Sequence, residues 1–281
     1  MNTLKAWLLM GVLSILLVLI GNAMFGESGA MLFFLIAMGM NFFSYFYSDK
    51  IAIKMTRSYP VSEAEAPELY AIVRRLSQRA GIPMPKLYVT PSEQPNAFAT
   101  GRSPAHSAVA VTEGIMRILN RSEVEGVLAH ELAHIKNRDV LVGTIAAALA
   151  GAITMMANAF QWAAIFGMGG NDEDEGGAGL VGGLVMAFLA PIAAMIVQMA
   201  ISRSREYGAD ATGARIAGSP DGLANALLKL ESAAHRIPMQ TNPATSHLFI
   251  VNPLSGASVA RLFSTHPPIQ ERVERLRSMR V

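Results

Sequence analysis

Of the 281 residues, 52% are hydrophobic and only 16% are charged, against about 25% charged in soluble globular chains. The absence of cysteine excludes disulfide frameworks and any metal site built on thiolates, so a bound metal must be held by His and carboxylates. The pI is near 9.0 but the net charge is only +2, a balance that suits a membrane better than a phosphate backbone, and no nucleic-acid partner is expected.

Four stretches carry no Asp, Glu, Lys or Arg: Ala6 to Gly26, Ser28 to Ser48, Val140 to Asn171 and Gly176 to Ser202. Each is long enough for a membrane-spanning helix, which needs roughly 20 apolar residues. With the Gly-rich ends assigned to a loop, the expected spans are 4–24, 30–48, 141–166 and 181–202. The first is read as a retained anchor rather than a signal peptide, because no clear cleavage site follows Gly21-Asn22-Ala23 and a second span begins at once. The connectors, Glu27 and Asp172-Glu173-Asp174-Glu175, hold only acids, and all 23 Lys and Arg residues lie outside them. The positive-inside rule then places both termini in the cytoplasm. The expected organisation is a transmembrane helix pair at 1–48, a first cytosolic piece at 49–139, a transmembrane hairpin at 140–202 and a second cytosolic piece at 203–281.

In the first cytosolic piece, Leu69, Ile72, Val73, Leu76 and Ala80 recur at helical spacing, and Gly81 and Pro83 stop the run. Lys86 to Thr90 and Ser107 to Thr112 read as short strands. Ser122-Glu123-Val124-Glu125 reads as a capping box, opening a helix with an apolar stripe of Val124, Val127, Leu128, Leu132 and Ile135. In the second piece, helices are expected over Arg203 to Ile216, after Ser219-Pro220, and after Pro267-Pro268, with a mostly irregular stretch at 235–258 and a candidate strand from His247 to Val251. The predicted fold class is a mainly α membrane protein: four transmembrane helices and a small cytosolic α+β domain with a short sheet.

The capped helix carries His130-Glu131-Leu132-Ala133-His134. Histidines at i and i+4 share a helix face, so both imidazoles reach one metal. Glu131 sits where a carboxylate can touch a water on that metal. Catalytic zinc usually takes three protein ligands plus water, and without Cys the third must be His, Asp or Glu. The candidate is Glu206, in Glu206-Tyr207-Gly208-Ala209-Asp210. Asp210, at i+4 from it, can accept a hydrogen bond from a ligating His.

These two motifs, with Asn96-Ala97-Phe98-Ala99-Thr100-Gly101 and Phe263-Ser264-Thr265-His266-Pro267-Pro268, make the chain resemble the HtpX-type bacterial membrane zinc metalloproteases, relatives of the CAAX-prenyl endoproteases. The resemblance covers essentially the whole chain and implies a zincin-like protease domain with one zinc held by His130, His134 and Glu206, and with Glu131 as catalytic base. It implies that Asn96, Ala97, Phe98 and Ala99 lie beside the cleft, where a substrate strand pairs with them, and that His266 and Arg272 lie near the bound peptide. His266 or Tyr207 is a candidate donor to the tetrahedral oxyanion. Taken alone, Arg272 reads as a helix-surface charge and Asn96 as a turn. The implied activity is cleavage of cytosolic regions of misfolded or damaged membrane proteins at the bacterial inner membrane, as quality control. Two alternatives compete with this reading. An intramembrane zinc protease would place the zinc motif inside an apolar span, whereas Glu123, Glu125, Lys136, Arg138 and Asp139 surround it here. A catalytically silent zinc-binding scaffold is argued against by the presence of Glu131.

Overall fold

The computed structural model describes residues 2–143, 145, 203–237, 239, 245, 248–251 and 267–280. Most of the two later expected spans, the acidic connector between them, His247 and His266 lie outside the described residues.

Helix α1 (Asn2–Met55) is two helices joined at a break, where Gly26 adopts φ 63 and ψ −151. Only glycine takes such a conformation at little cost. The halves fold back on one another: Trp7 stacks on Tyr45 at 5.6 Å, and the Asn41 side chain donates to Ser14 Oγ at 2.8 Å. A Cβ on Gly21 would lie 2.5 Å from the Gly29 carbonyl oxygen, so only a bare backbone permits this approach near the bend. Gly26–Tyr47 is long and apolar enough to cross a membrane, while Ala6–Leu19 is a shorter apolar stretch. Among the described residues one such helix is found, where four spans are expected from the sequence. Trp7, Ile15, Met31 and Phe43 are all more than half exposed on this hairpin, as lipid-facing side chains would be.

The remaining described chain is mostly helical around a small mixed sheet. Its strands are β1 (Tyr59–Pro60), β2 (Lys86–Thr90), β3 (Ala97–Ser103) and β4 (His106–Thr112), in the order β1-β2-β4-β3. β2 and β4 run parallel in the register Lys86↔Ala108 to Thr90↔Thr112, and β3 is an antiparallel edge strand on β4. The strands at 86–90 and 106–112 agree with the sequence reading, whereas β3 begins where the residues alone suggest only a turn. Residues 248–251 are irregular rather than a strand, and Ile250 N donates a single bond to the Ala97 carbonyl, at 3.0 Å.

The domain also contains helices α2 (Pro67–Ala80), α3 (Glu113–Ile118), α4 (Arg121–Lys136), α5 (Arg203–Ala217), α6 (Asp221–Arg236) and α7 (Ile269–Ser278). The core lies between them and is filled by Ile72, Leu76, Val127, Leu128, Leu132, Leu227 and Leu276, all essentially inaccessible. α4 is the central helix. Its capping box is two residues earlier than expected: Asn120 accepts from Glu123 N, and Glu123 accepts from Asn120 N. Glu123 also pairs with Lys229 of α6 at 2.8 Å, whereas Glu125 faces Arg121 and Arg75. The tertiary ion pair selects between two overlapping cap patterns.

Candidate metal centre

Helix α4 presents His130 and His134 on one face, and α5 presents Glu206, Asp210 and Gly213 on the face opposite. The i, i+4, i+7 spacing aligns the last three. A Cβ on Gly213 would stand 2.9 Å from the backbone N and Cα of His130, so α5 crosses α4 backbone against backbone beside the first histidine. That crossing carries Glu206 to the histidine pair.

The three side chains converge. His130 Nε2 and His134 Nε2 are 3.1 Å apart, and Glu206 oxygens lie 3.8 and 3.6 Å from them. Ligand atoms on a tetrahedral zinc, each about 2.0–2.1 Å from the ion, stand roughly 3.3 Å from one another. His130 Nδ1 lies 2.9 Å from Asp210 Oδ1, and His134 Nδ1 lies 3.2 Å from Asp139 Oδ2. Asp139 bonds Nδ1 of His134, and Asp210 stands beside Nδ1 of His130, where each carboxylate favours the Nδ1–H tautomer. Both Nε2 atoms then present lone pairs towards one another and towards the Glu206 carboxylate, an arrangement suited to a shared cation. The surrounding charge agrees, with Glu131, Glu206, Asp139 and Asp210 set against Arg205 and Arg272. The resulting excess of negative charge suits a divalent ion, and the residues present fit a metal of the zinc type.

Arg272 is not a surface charge. It is 0% exposed, and its Nε and Nη2 form a two-pronged pair with Asp210 at 2.9 and 2.7 Å. Nη1 donates to the Ile250 carbonyl at 3.3 Å and lies 3.8 Å from Glu206 Oε2. Burial opposes an ionised Asp210, but Arg272 and His130 hold its carboxyl well below the usual range. Burial pushes His130 down to about 4, keeping its imidazole neutral. Burial also disfavours the His134 cation, but Asp139 and Glu206 outweigh it and carry its pKa to about 9, so a proton competes for this site when no metal is bound.

Glu131 is buried, which drives its carboxyl up to about 7, and it accepts a hydrogen bond from the Ala99 backbone. Edge strand β3 is therefore tied directly to the candidate base. The four expected substrate-strand residues are all buried. Ala97 is engaged by Ile250 N and by Asn96 Oδ1, and the Asn96 side chain donates to the Val251 carbonyl at 2.7 Å. Phe98 packs edge-on against Phe249, leaving Ala99 as the position facing the site. Tyr207 lies under the Arg275 guanidinium and bonds Glu271, so its hydroxyl is held by α7. The roles of Asp139 and Arg205 escape the sequence reading; the only signal is an acid soon after the second histidine and a base just before Glu206.

Residues 63–280 match the family described as Peptidase family M48. The chain is 73% identical over its full length, and the full length of the relative, to "Protease HtpX homolog" of Pelotomaculum thermopropionicum. A protein of the same name from Thermodesulfovibrio yellowstonii is 59% identical, with 99% of each chain covered. Among solved structures, the crystal structure of S. mikatae Ste24p matches with a TM-score of 0.52 at 19% identity. That match covers 98% of this chain and 65% of the Ste24p chain, and it is a likeness of fold.

Proposed function

The chain belongs to peptidase family M48, and from that premise we propose that it is a membrane zinc endopeptidase in which His130, His134 and Glu206 hold the metal and Glu131 is the general base. The observation that carries the reading is the convergence of two Nε2 lone pairs and the Glu206 carboxylate on one point. Zinc bound there would acidify water towards a pKa of about 7 and polarise a peptide carbonyl.

The chain's own residues supply the rest. Glu131, with a pKa raised by burial to about 7, is matched to accept a proton near neutral pH and to return it to the departing amine. Its bond from Ala99 keeps the carboxylate beside the strand edge. Asp210 holds the His130 ring, and Arg272 neutralises Asp210 while remaining close to Glu206. Arg272 thus acts through the ligands. A substrate peptide would pair with β3 through the Ala99 carbonyl, since the Ala99 N–H is held by Glu131 and Ala97 and Asn96 are engaged by 250–251. His266 remains a candidate oxyanion donor.

The substrates proposed are cytosolic regions of misfolded or damaged membrane proteins. The proposed setting is the bacterial inner membrane, with four spans and both termini and the active site cytoplasmic. The α1 hairpin and the distribution of Lys and Arg support this topology. The test is metal removal: excess chelator should abolish cleavage of an unfolded protein and zinc should restore it. Glu206→Gln should lose both zinc and cleavage, and parental zinc binding by that variant would identify another third ligand.

A further inference from the structure

His134 is oriented by a residue that the zinc motif does not contain. Its Nδ1 lies 3.2 Å from Asp139 Oδ2, and the Asp139 side chain is 8% exposed. On a continuous helix a residue five positions later would sit about 140° around the axis, on a different face. The chain avoids this by turning. α4 ends at Lys136, Asn137 has φ −76 and ψ −5, and Arg138 takes φ 58 before helical structure resumes at Asp139. A positive φ is unfavourable for a residue with a Cβ, and here it returns Asp139 to His134.

Resting on the metal reading above, we propose that Asp139 is a positioning residue that fixes the His134 ring and its Nδ1–H tautomer, so that Nε2 meets the metal shared with His130 and Glu206. The site then has a carboxylate behind each histidine, Asp210 for His130 and Asp139 for His134. Behind Asp210 stands Arg272, while burial lowers the Arg205 pKa and Asp139 and Glu206 only partly offset it. Asp139 is also the last charged residue before the charge-free stretch that begins at Val140. Ligand orientation and the root of that stretch therefore share one side chain.

The test uses the full-length protein in detergent. The zinc dissociation constant is measured by competition with a chromogenic chelator, and the electronic spectrum is recorded after cobalt(II) substitution. Serine is at least as good a helix former as aspartate but is too short to reach the imidazole. Asp139→Ser should therefore bind zinc about 10- to 100-fold more weakly, the usual cost of losing such a partner, and should shift the cobalt spectrum. Asp139→Asn, whose amide oxygen still accepts from Nδ1–H, should fall between Ser and the parent. Arg138→Gly accommodates the turn and should keep parental affinity. Parental zinc affinity and an unchanged cobalt spectrum in Asp139→Ser would overturn the assignment. If that variant does not fold, parental zinc affinity and an unchanged cobalt spectrum in Asp139→Ala would overturn it instead. A parent protein that binds no zinc would overturn the metal reading itself, a result distinct from either of these.

Discussion

Replacing Arg272 with Met isolates the charge that stabilises the site from behind. The guanidinium is wholly buried and forms two hydrogen bonds to Asp210, whose side chain is 4% exposed. Removing one member of a buried pair leaves an uncompensated charge and costs about 3–5 kcal/mol. For a domain of this size each kcal/mol lowers the melting temperature by about 2–4 °C, so Arg272→Met should melt roughly 6–20 °C below the parent. The assay is scanning calorimetry on the metal-free protein in detergent, which keeps metal binding out of the comparison. Adding Asp210→Asn removes the stranded carboxylate, so the double variant should be more stable than the sum of the single changes by about 1–3 kcal/mol. A single variant within about 1 kcal/mol of the parent, or strict additivity, would refute the claim that Arg272 exists in this core to neutralise Asp210.

Three further outcomes follow from the geometry. Gly213→Ala puts a methyl group 2.9 Å from the His130 backbone, so it should force α5 from α4, lowering both melting temperature and zinc affinity; unchanged zinc affinity would contradict the close crossing. In the metal-free protein, burial raises the Glu131 pKa from 4.5 to about 7. The folded state then holds a proton that the unfolded chain has released, and the stability from this group falls as pH rises across that window. The melting advantage of Glu131→Gln over the parent should grow from about pH 4.5 to pH 7, and a pH-independent difference would contradict it. A reporter active only outside the cytoplasm should work when fused near Gly170 and fail when fused at Val281; the reverse pattern would overturn the topology.

The helix that carries His130, Glu131 and His134 is legible in the sequence because its chemistry is local: two histidines and a glutamate at fixed helical spacing, with cap signals just ahead. The register of the cap is not, since Asn120-x-x-Glu123 and Ser122-x-x-Glu125 both fit the pattern and Lys229, over a hundred residues away, decides between them. Strand β3 escapes detection from the residues alone because Ala97-Phe98-Ala99-Thr100-Gly101 has few β-branched side chains; its pairing with β4 and its bond to Glu131 define it. Arg272 reads as a surface charge because the helix pattern Ile269, Val273, Leu276 accounts for the buried face without it, and its partner Asp210 lies on another helix. Asp139 is hidden for a different reason. Helical spacing places it off the ligand face, and the positive φ at Arg138, which no residue type signals, brings it back.

The most direct measurement is zinc content by mass spectrometry alongside cleavage of an unfolded protein, on the full-length chain and on Glu131→Gln, both in detergent. The expected result is about one zinc per chain in both proteins, with cleavage lowered by about 10²- to 10⁴-fold or more in Glu131→Gln. Cleavage by Glu131→Gln at the parental rate, or by a parent stripped of metal, would contradict a zinc peptidase that uses Glu131 as its base.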